Sequence, residues 1–227
     1  MTLHKLHLAK PALIARLPAE DSAGTTQYRT PADRSPLDLS AFDAPDAEAL
    51  AAVFEASTSG IVVIQPAGAP PMLIVPPFDV ERSGDFGTVR ADPLIELLTR
   101  PRTCGVFLLR LGGFTVGLFR DDALIDSKTD QRFVKNRHRK GGQSQRRFER
   151  IREKQIHELF AKACETAREK LEPHRDAIGH VFLGGDRRTL MAFRKECPYF
   201  ESFGTRLMRR VLPVAGDPRR ASLDACP

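Results

Sequence analysis

Gly105-Val106-Phe107-Leu108-Leu109-Arg110-Leu111, Phe114-Thr115-Val116-Gly117-Leu118-Phe119 and Ala123-Leu124-Ile125-Asp126-Ser127 stand one behind another, with the turn formers Gly112-Gly113 and Asp121-Asp122 between them. Each run is strand-sized, and connections this short join antiparallel neighbours. The stretch predicts a meander of three strands. Downstream, Phe148, Ile151, Ile156, Leu159, Phe160, Ala163, Ala167 and Leu171 recur at helical spacing until Pro173 ends the run. A strand over 180–183, the turn Gly184-Gly185-Asp186 and a helix over 187–196 follow, and a last helix is expected over 204–211. The phenylalanines at 107, 114, 119, 148, 160 and 182 fall mostly on apolar faces and are read as core. This order of elements gives the fold class α/β, a mixed sheet flanked by helices.

The sequence before residue 101 reads differently. Residues 1–40 are rich in turn formers, as in Thr30-Pro31-Ala32-Asp33-Arg34-Ser35-Pro36, and read as loop apart from a short helix near 13–17. After Pro45, strong helix formers with acids in the first turn predict a helix over 46–55. Ile61-Val62-Val63-Ile64 and Met72-Leu73-Ile74-Val75 look like a strand pair, and Asp92-Pro93 opens a helix through Leu98. The expected organisation is an N-terminal α+β extension over 1–100, a second domain over 101–220 and a tail over 221–227.

Composition bounds the function. At 227 residues the chain has ample core to fold without staples. Its formal net charge of +6 favours an anionic partner. Between Arg132 and Lys154 ten Lys/Arg face only Glu149 and Glu153, so the excess is local. Cys104, Cys164, Cys197 and Cys226 show no CxxC spacing and suggest neither a zinc site nor a disulfide framework, which points to a reducing cytosol. No metal site or cofactor is expected, since Asp126 and Asp130 have no third acid nearby. Gly184-Gly185-Asp186 lacks the rest of a nucleotide-binding fingerprint and reads as a tight turn into a helix. No segment resembles a signal-peptide core or reaches transmembrane length, so a cytoplasmic protein without membrane contact is expected, as a monomer.

The local charge excess surrounds Gly141-Gly142-Gln143, set between Arg137-His138-Arg139-Lys140 and the helix-like Ser144-Gln145-Arg146-Arg147-Phe148-Glu149-Arg150. Two glycines allow close backbone approach, and the cations suit a phosphate chain. A glutamine amide does not titrate near neutral pH, so it holds a water or a substrate hydroxyl rather than acting as an ordinary base. Backbone N–H groups in a glycine turn can stabilise charge developing on an oxygen. Such a site needs a substrate that brings its own reactive group. An RNA 3′ end does, because its terminal 2′-hydroxyl sits beside the scissile bond. His138 is read as one more RNA-facing residue.

Gly-Gly-Gln followed by a basic helix resembles the central domain of eukaryotic and archaeal class-1 release factors. The longer string from Gly141 to Gln155 is similar to bacterial, actinobacterial-type members of the Vms1-like release factor family. So are Leu111-Gly112-Gly113-Phe114, the Val181-Phe182-Leu183-Gly184-Gly185-Asp186-Arg187 turn and Asp217-Pro218-Arg219. The likeness spans residues 105–220 and implies a ribonuclease-H-like, release-factor central domain. It implies peptidyl-tRNA hydrolysis at the CCA end in the large-subunit peptidyl-transferase centre, or cleavage of the tRNA near that end. Gly141, Gly142, Gln143 and Gln145 would carry the chemistry, with Gln143 at the loop tip. Gln143 completes the release-factor motif, and Ser144-Gln145 is the family's own mark. Arg137, His138, Arg139, Lys140, Ser144, Arg146, Arg147 and Arg150 would face RNA. Nothing in the sequence matches a codon-reading domain, which favours rescue of stalled ribosomes over stop-codon decoding. A non-catalytic ribosome- or RNA-binding role is the alternative from another class.

Overall fold

The computed structural model describes residues 4, 6, 8–132, 134 and 143–224, and of residues 143–146 it gives the backbone alone. The chain divides into two compact units, Met1–Arg100 and Pro101–Cys226.

The first unit runs α1 (Lys10–Ile14), β1 (Ala23–Arg29), α2 (Ala44–Ala56), β2 (Ile61–Pro66), β3 (Met72–Ile74), β4 (Gly84–Thr88) and α3 (Asp92–Thr99). Its strands form one antiparallel sheet in the order β3-β2-β1-β4. The strand pair read from the sequence is β2 and β3, and it is half of this sheet. β1 corrects the reading of residues 1–40 as loop. It pairs with a strand on each side although its sequence is polar. Arg29, 4% exposed, donates from Nη1 to Tyr28 O and from Nη2 to Pro36 O, and pairs with Asp85 at 2.8 Å. Thr26 Oγ1 accepts the backbone N–H of Arg90 at 2.9 Å. A polar strand survives inside a sheet when its polar atoms find partners in this way. On one face α3 packs Leu94, Leu97 and Leu98 with Tyr28, Val62, Ile64 and Ile74. Pro93 opens α3, and Glu20 Oε2 accepts the N–H of Asp92 at 3.0 Å, so a distant carboxylate caps this helix.

The second unit runs β5 (Thr103–Arg110), β6 (Gly113–Arg120), β7 (Ala123–Gln131), α4 (Gln143–Leu171), β8 (His180–Gly185), α5 (Arg187–Glu196) and β9 (Leu207–Leu212). The sheet order is β7-β6-β5-β8-β9. The meander β5-β6-β7 is antiparallel, β8 joins β5 in parallel and β9 joins β8 in parallel, so the sheet is mixed as the sequence predicts. One face carries Phe107, Leu109, Phe114, Val116, Leu118, Val181 and Leu183, covered by Leu159, Phe160, Ala163, Ala167 and Leu171 of α4 and by Leu190 and Phe193 of α5. Phe193 stacks on Phe107 with centroids 4.9 Å apart, and Phe160 meets Phe193 edge-on at 5.5 Å. On the other face Leu223 lies against Gly117, where a Cβ would come within 2.8 Å of it.

Two expectations fail in this unit. Residues 204–211 are not a helix. Gly204 takes φ +57° and kinks the 3₁₀ segment Pro198–Arg206, and from Leu207 the chain fills the open edge of β8 as β9. Unpaired backbone groups along β8 outweigh the modest helix propensity of Leu207-Met208-Arg209-Arg210. The cysteines are not all free either: Cys164 of α4 and Cys197, just past α5, form a disulfide, while Cys104 is a buried thiol. A separation of 33 residues hides a proximity that only the packing of α4 on α5 creates.

The turn Gly184-Gly185-Asp186 does what its sequence predicts. Gly185 has φ +124°, and a Cβ there would stand 1.9 Å from Leu109 O. Asp186 then caps α5, its Oδ1 accepting from Thr189 N at 2.9 Å and from Thr189 Oγ1 at 2.8 Å. The bond from the Thr189 backbone N–H, then that from its hydroxyl, holds the Asp186 carboxyl below the usual carboxylate range.

Two stability predictions follow from this packing. Opening the Cys164–Cys197 bond frees a loop of 33 residues. Replacing Cys197 with Ser should therefore cost about 4 kcal/mol by the loop-entropy relation. Urea unfolding of the variant and of the reduced wild type should show matching drops in stability, and no drop would refute the staple. At the cap, Asp186→Ala should cost about 1 kcal/mol at pH 7. A depressed folded pKa makes the charge's contribution complete above the unfolded value and lost as pH falls through the folded one, so the deficit should shrink below about pH 4. Asp186→Asn should keep the cap and lose that pH dependence in the same unfolding assay.

Candidate functional site

Helix α4 is 29 residues long and is held at one end. Its buried positions begin at Leu159, with Ile156 half-buried against the same core, whereas Arg147, Phe148, Glu149 and Arg150 are exposed. At 1.5 Å per residue, the part between Gln143 and Ile156 is a rod of about 20 Å. Its residues favour the helix: Gln, Arg, Glu and Lys are good helix formers, and no Gly or Pro interrupts them. Lys154 and Glu158 add a weak i,i+4 pair at 3.8 Å. Phe148 is 41% exposed, which corrects its reading as core, because it lies two turns beyond the first core contact at Ile156.

The helix begins at Gln143. Gln143 is the first residue of the helix, and Ser144, Gln145 and Arg146 complete the first turn. The first four N–H groups of a helix have no acceptor inside it, and its N-terminal end is the positive pole. No acid lies in the first turn of α4 to compensate it. The outer end of the rod can thus offer amide N–H groups to an anionic or partly anionic oxygen. Arg137, His138, Arg139, Lys140, Gly141 and Gly142 lie outside the described residues. Of the side chains singled out in the sequence, Arg147 and Arg150 are described; both are exposed, and neither forms an ion pair among the described residues.

Other candidates resolve into structure. Asp126 is paired with Lys170, whose Nζ donates to Oδ1 and Oδ2 at 3.2 and 3.1 Å, tying β7 to α4. Among the described residues no group of three or more His, Cys, Asp or Glu is placed to share a metal ion. Nor is any helix among them long and apolar enough to cross a membrane.

The sequence reading passed over a second set of cations. On α5 the exposed residues Arg187, Arg188, Met191, Arg194 and Lys195 share one stripe, opposite the buried Thr189, Leu190 and Phe193. The signal in the sequence is four cations at i, i+1, i+7 and i+8, Arg187, Arg188, Arg194 and Lys195, which helical spacing puts on one side of α5.

The chain is 39% identical over 102 residues to peptide chain release factor subunit 1 of Archaeoglobus fulgidus, an alignment covering 45% of this chain and 25% of that protein. It is 34% identical over 102 residues to the same subunit of Methanopyrus kandleri, with the same coverages of 45% and 25%. The aligned part thus spans about a quarter of the length of these relatives. Among solved structures, the archaeal translation termination factor aRF1 overlays with TM-score 0.43 at 15% identity, covering 95% of this chain and 68% of that one. Archaeoglobus fulgidus Pelota overlays with TM-score 0.31 at 9% identity, covering 90% and 54%. Overlays this loose add nothing to the strand order described above. Residues 102–227 match the family described as Actinobacteria/chloroflexi VLRF1 release factor, and since they are more than half of the chain, the chain belongs to that family.

Proposed function

We propose that this protein is a release-factor-type peptidyl-tRNA hydrolase that acts at the tRNA CCA end in the large-subunit peptidyl-transferase centre, in rescue or quality control of stalled ribosomes. The observation that carries the reading is the placement of Gln143 and Gln145 in the first turn of a helix whose packing on the core, among the described residues, begins at Ile156, about 20 Å along it. A projecting helix reaches into a crevice that the body of the domain cannot enter, and the exposed Arg147 and Arg150 behind its tip suit a passage walled by phosphates. Membership of a release factor family supports the same reading.

The chemistry asked of the tip is modest. In peptidyl-tRNA the 2′-hydroxyl of the terminal ribose lies beside the scissile ester, so the substrate brings one reactive group itself. A glutamine amide donates and accepts at once, so it can hold a water between that hydroxyl and the ester carbonyl. Unpartnered N–H groups of the first helical turn favour the oxygen that becomes negative as the water attacks. The two glycines before Gln143 keep side chains away from the ribose, while the arginines neutralise backbone phosphates.

Purified protein incubated with stalled ribosome complexes carrying labelled peptidyl-tRNA should yield free peptide and an intact CCA end. Gln143→Ala with Gln145→Ala should slow release by about 100-fold or more while leaving ribosome binding unchanged. Peptide still joined to a short 3′ fragment would replace ester hydrolysis by cleavage of the tRNA. Surviving peptidyl-tRNA on ribosomes that hold the wild-type protein would refute catalysis.

A further inference from the structure

The cationic surface of this domain does not end with the arm. On α4, Arg147, Arg150, Lys154 and His157 follow one another at i, i+3, i+7 and i+10, which puts them on a single face of the helix. His157 stands at the foot of that face, and its Nδ1 lies 2.9 Å from Glu196 Oε2 at the end of α5. The next residue inward along α5 is Lys195, the first of the exposed stripe Lys195, Arg194, Met191, Arg188 and Arg187. Two further contacts fix this junction: the Phe160–Phe193 ring pair and the Cys164–Cys197 disulfide. The exposed face of α4 therefore continues onto the exposed face of α5 through a joint that cannot slide.

Few acids interrupt this track. Arg194 is bound to Glu201 through Nε at 2.6 Å and Nη2 at 2.9 Å, and Lys154 lies 3.8 Å from Glu158. Arg187 and Lys195 form no ion pair among the described residues, and Arg188 lies within electrostatic reach of Asp186 alone. The two stretches of helix carry the charges over about 15 Å on α4 and about 12 Å on α5. Cations spaced along a line, with one thioether between them and no aromatic platform, match a repeating phosphate chain better than a compact anion or a stacked base.

We propose that the outer face of α5, continuous with the cationic face of α4, binds the phosphate backbone of the RNA duplex next to the 3′ end that the arm reaches, namely the acceptor stem of the tRNA. The choice of RNA rests on the function proposed above. Charge complementarity supplies the affinity, and the fixed joint sets the distance between stem and tip.

The test measures binding of the full chain to a hairpin RNA that copies an acceptor stem ending in CCA, over a range of salt. In the variant R187Q/R188Q/K195Q the slope of log K against log salt should fall by about 2–3, since each lost phosphate contact removes about 0.9. Affinity at about 0.1 M salt should drop roughly 100-fold and approach the wild type near 1 M. The charge-keeping variant R187K/R188K/K195R should retain the slope, which separates lost contacts from a damaged fold. Gln143→Ala with Gln145→Ala should retain it as well. An unchanged slope in R187Q/R188Q/K195Q overturns the proposal. So does a wild type that fails to bind the hairpin, or a loss seen with isolated large subunits but not with the hairpin. A slope that falls as expected, in a protein that releases no peptide from stalled complexes, leaves this surface standing and sinks the hydrolase.

Discussion

The rings of Phe107, Phe160 and Phe193 make the contact on which the second unit depends. Phe107 belongs to the central part of the sheet, Phe160 to α4 and Phe193 to α5, so one aromatic cluster joins all the layers of this unit. Phe200 adds a fourth ring 4.9 Å from Phe107 and brings the 3₁₀ segment Pro198–Arg206 into the same cluster. Such pairs bind beyond their buried area, whether stacked as Phe107 and Phe193 are or edge-on as Phe160 and Phe193 are. A clamp of this kind at the inner half of α4 is what permits the outer half to stand clear of the core.

The covalent and polar ties around the cluster serve the same end. The disulfide joins the two helices one turn further along, and Lys170 holds the far end of α4 to Asp126 of β7. Arg168 lies over the Tyr199 ring at 4.9 Å and Arg175 over Phe203 at 4.8 Å, which fastens the helix end and the residues after it to the aromatic segment. The inner half of α4 therefore has ring, sulfur and salt contacts that tie it to the sheet and to α5.

Most of the second unit was legible before its structure. The β5-β6-β7 meander, α4 and α5 follow from periodicity and turn residues, because each is a local pattern with strong punctuation. What escaped had no local pattern. β1 is polar because Arg29 and Thr26 are satisfied by partners remote in sequence, β9 exists because β8 offers an open edge, and the disulfide exists because two helices cross. Phe148 looks like core in a helical repeat, yet it is 41% exposed. For the site, the motif was plain and its mounting was not: a short string gives residue types, whereas the distance of Gln143 from the core depends on where the apolar stripe of α4 begins.

A rod clamped at its base also acts as a lever. With about 25 Å between Phe160 and Gln143, a tilt of ten degrees at the aromatic cluster carries Gln143 through roughly 4.4 Å. Positioning errors of about 1 Å are enough to cost a reaction two orders of magnitude. Small changes in packing at the hub are thus magnified at the far end of the helix.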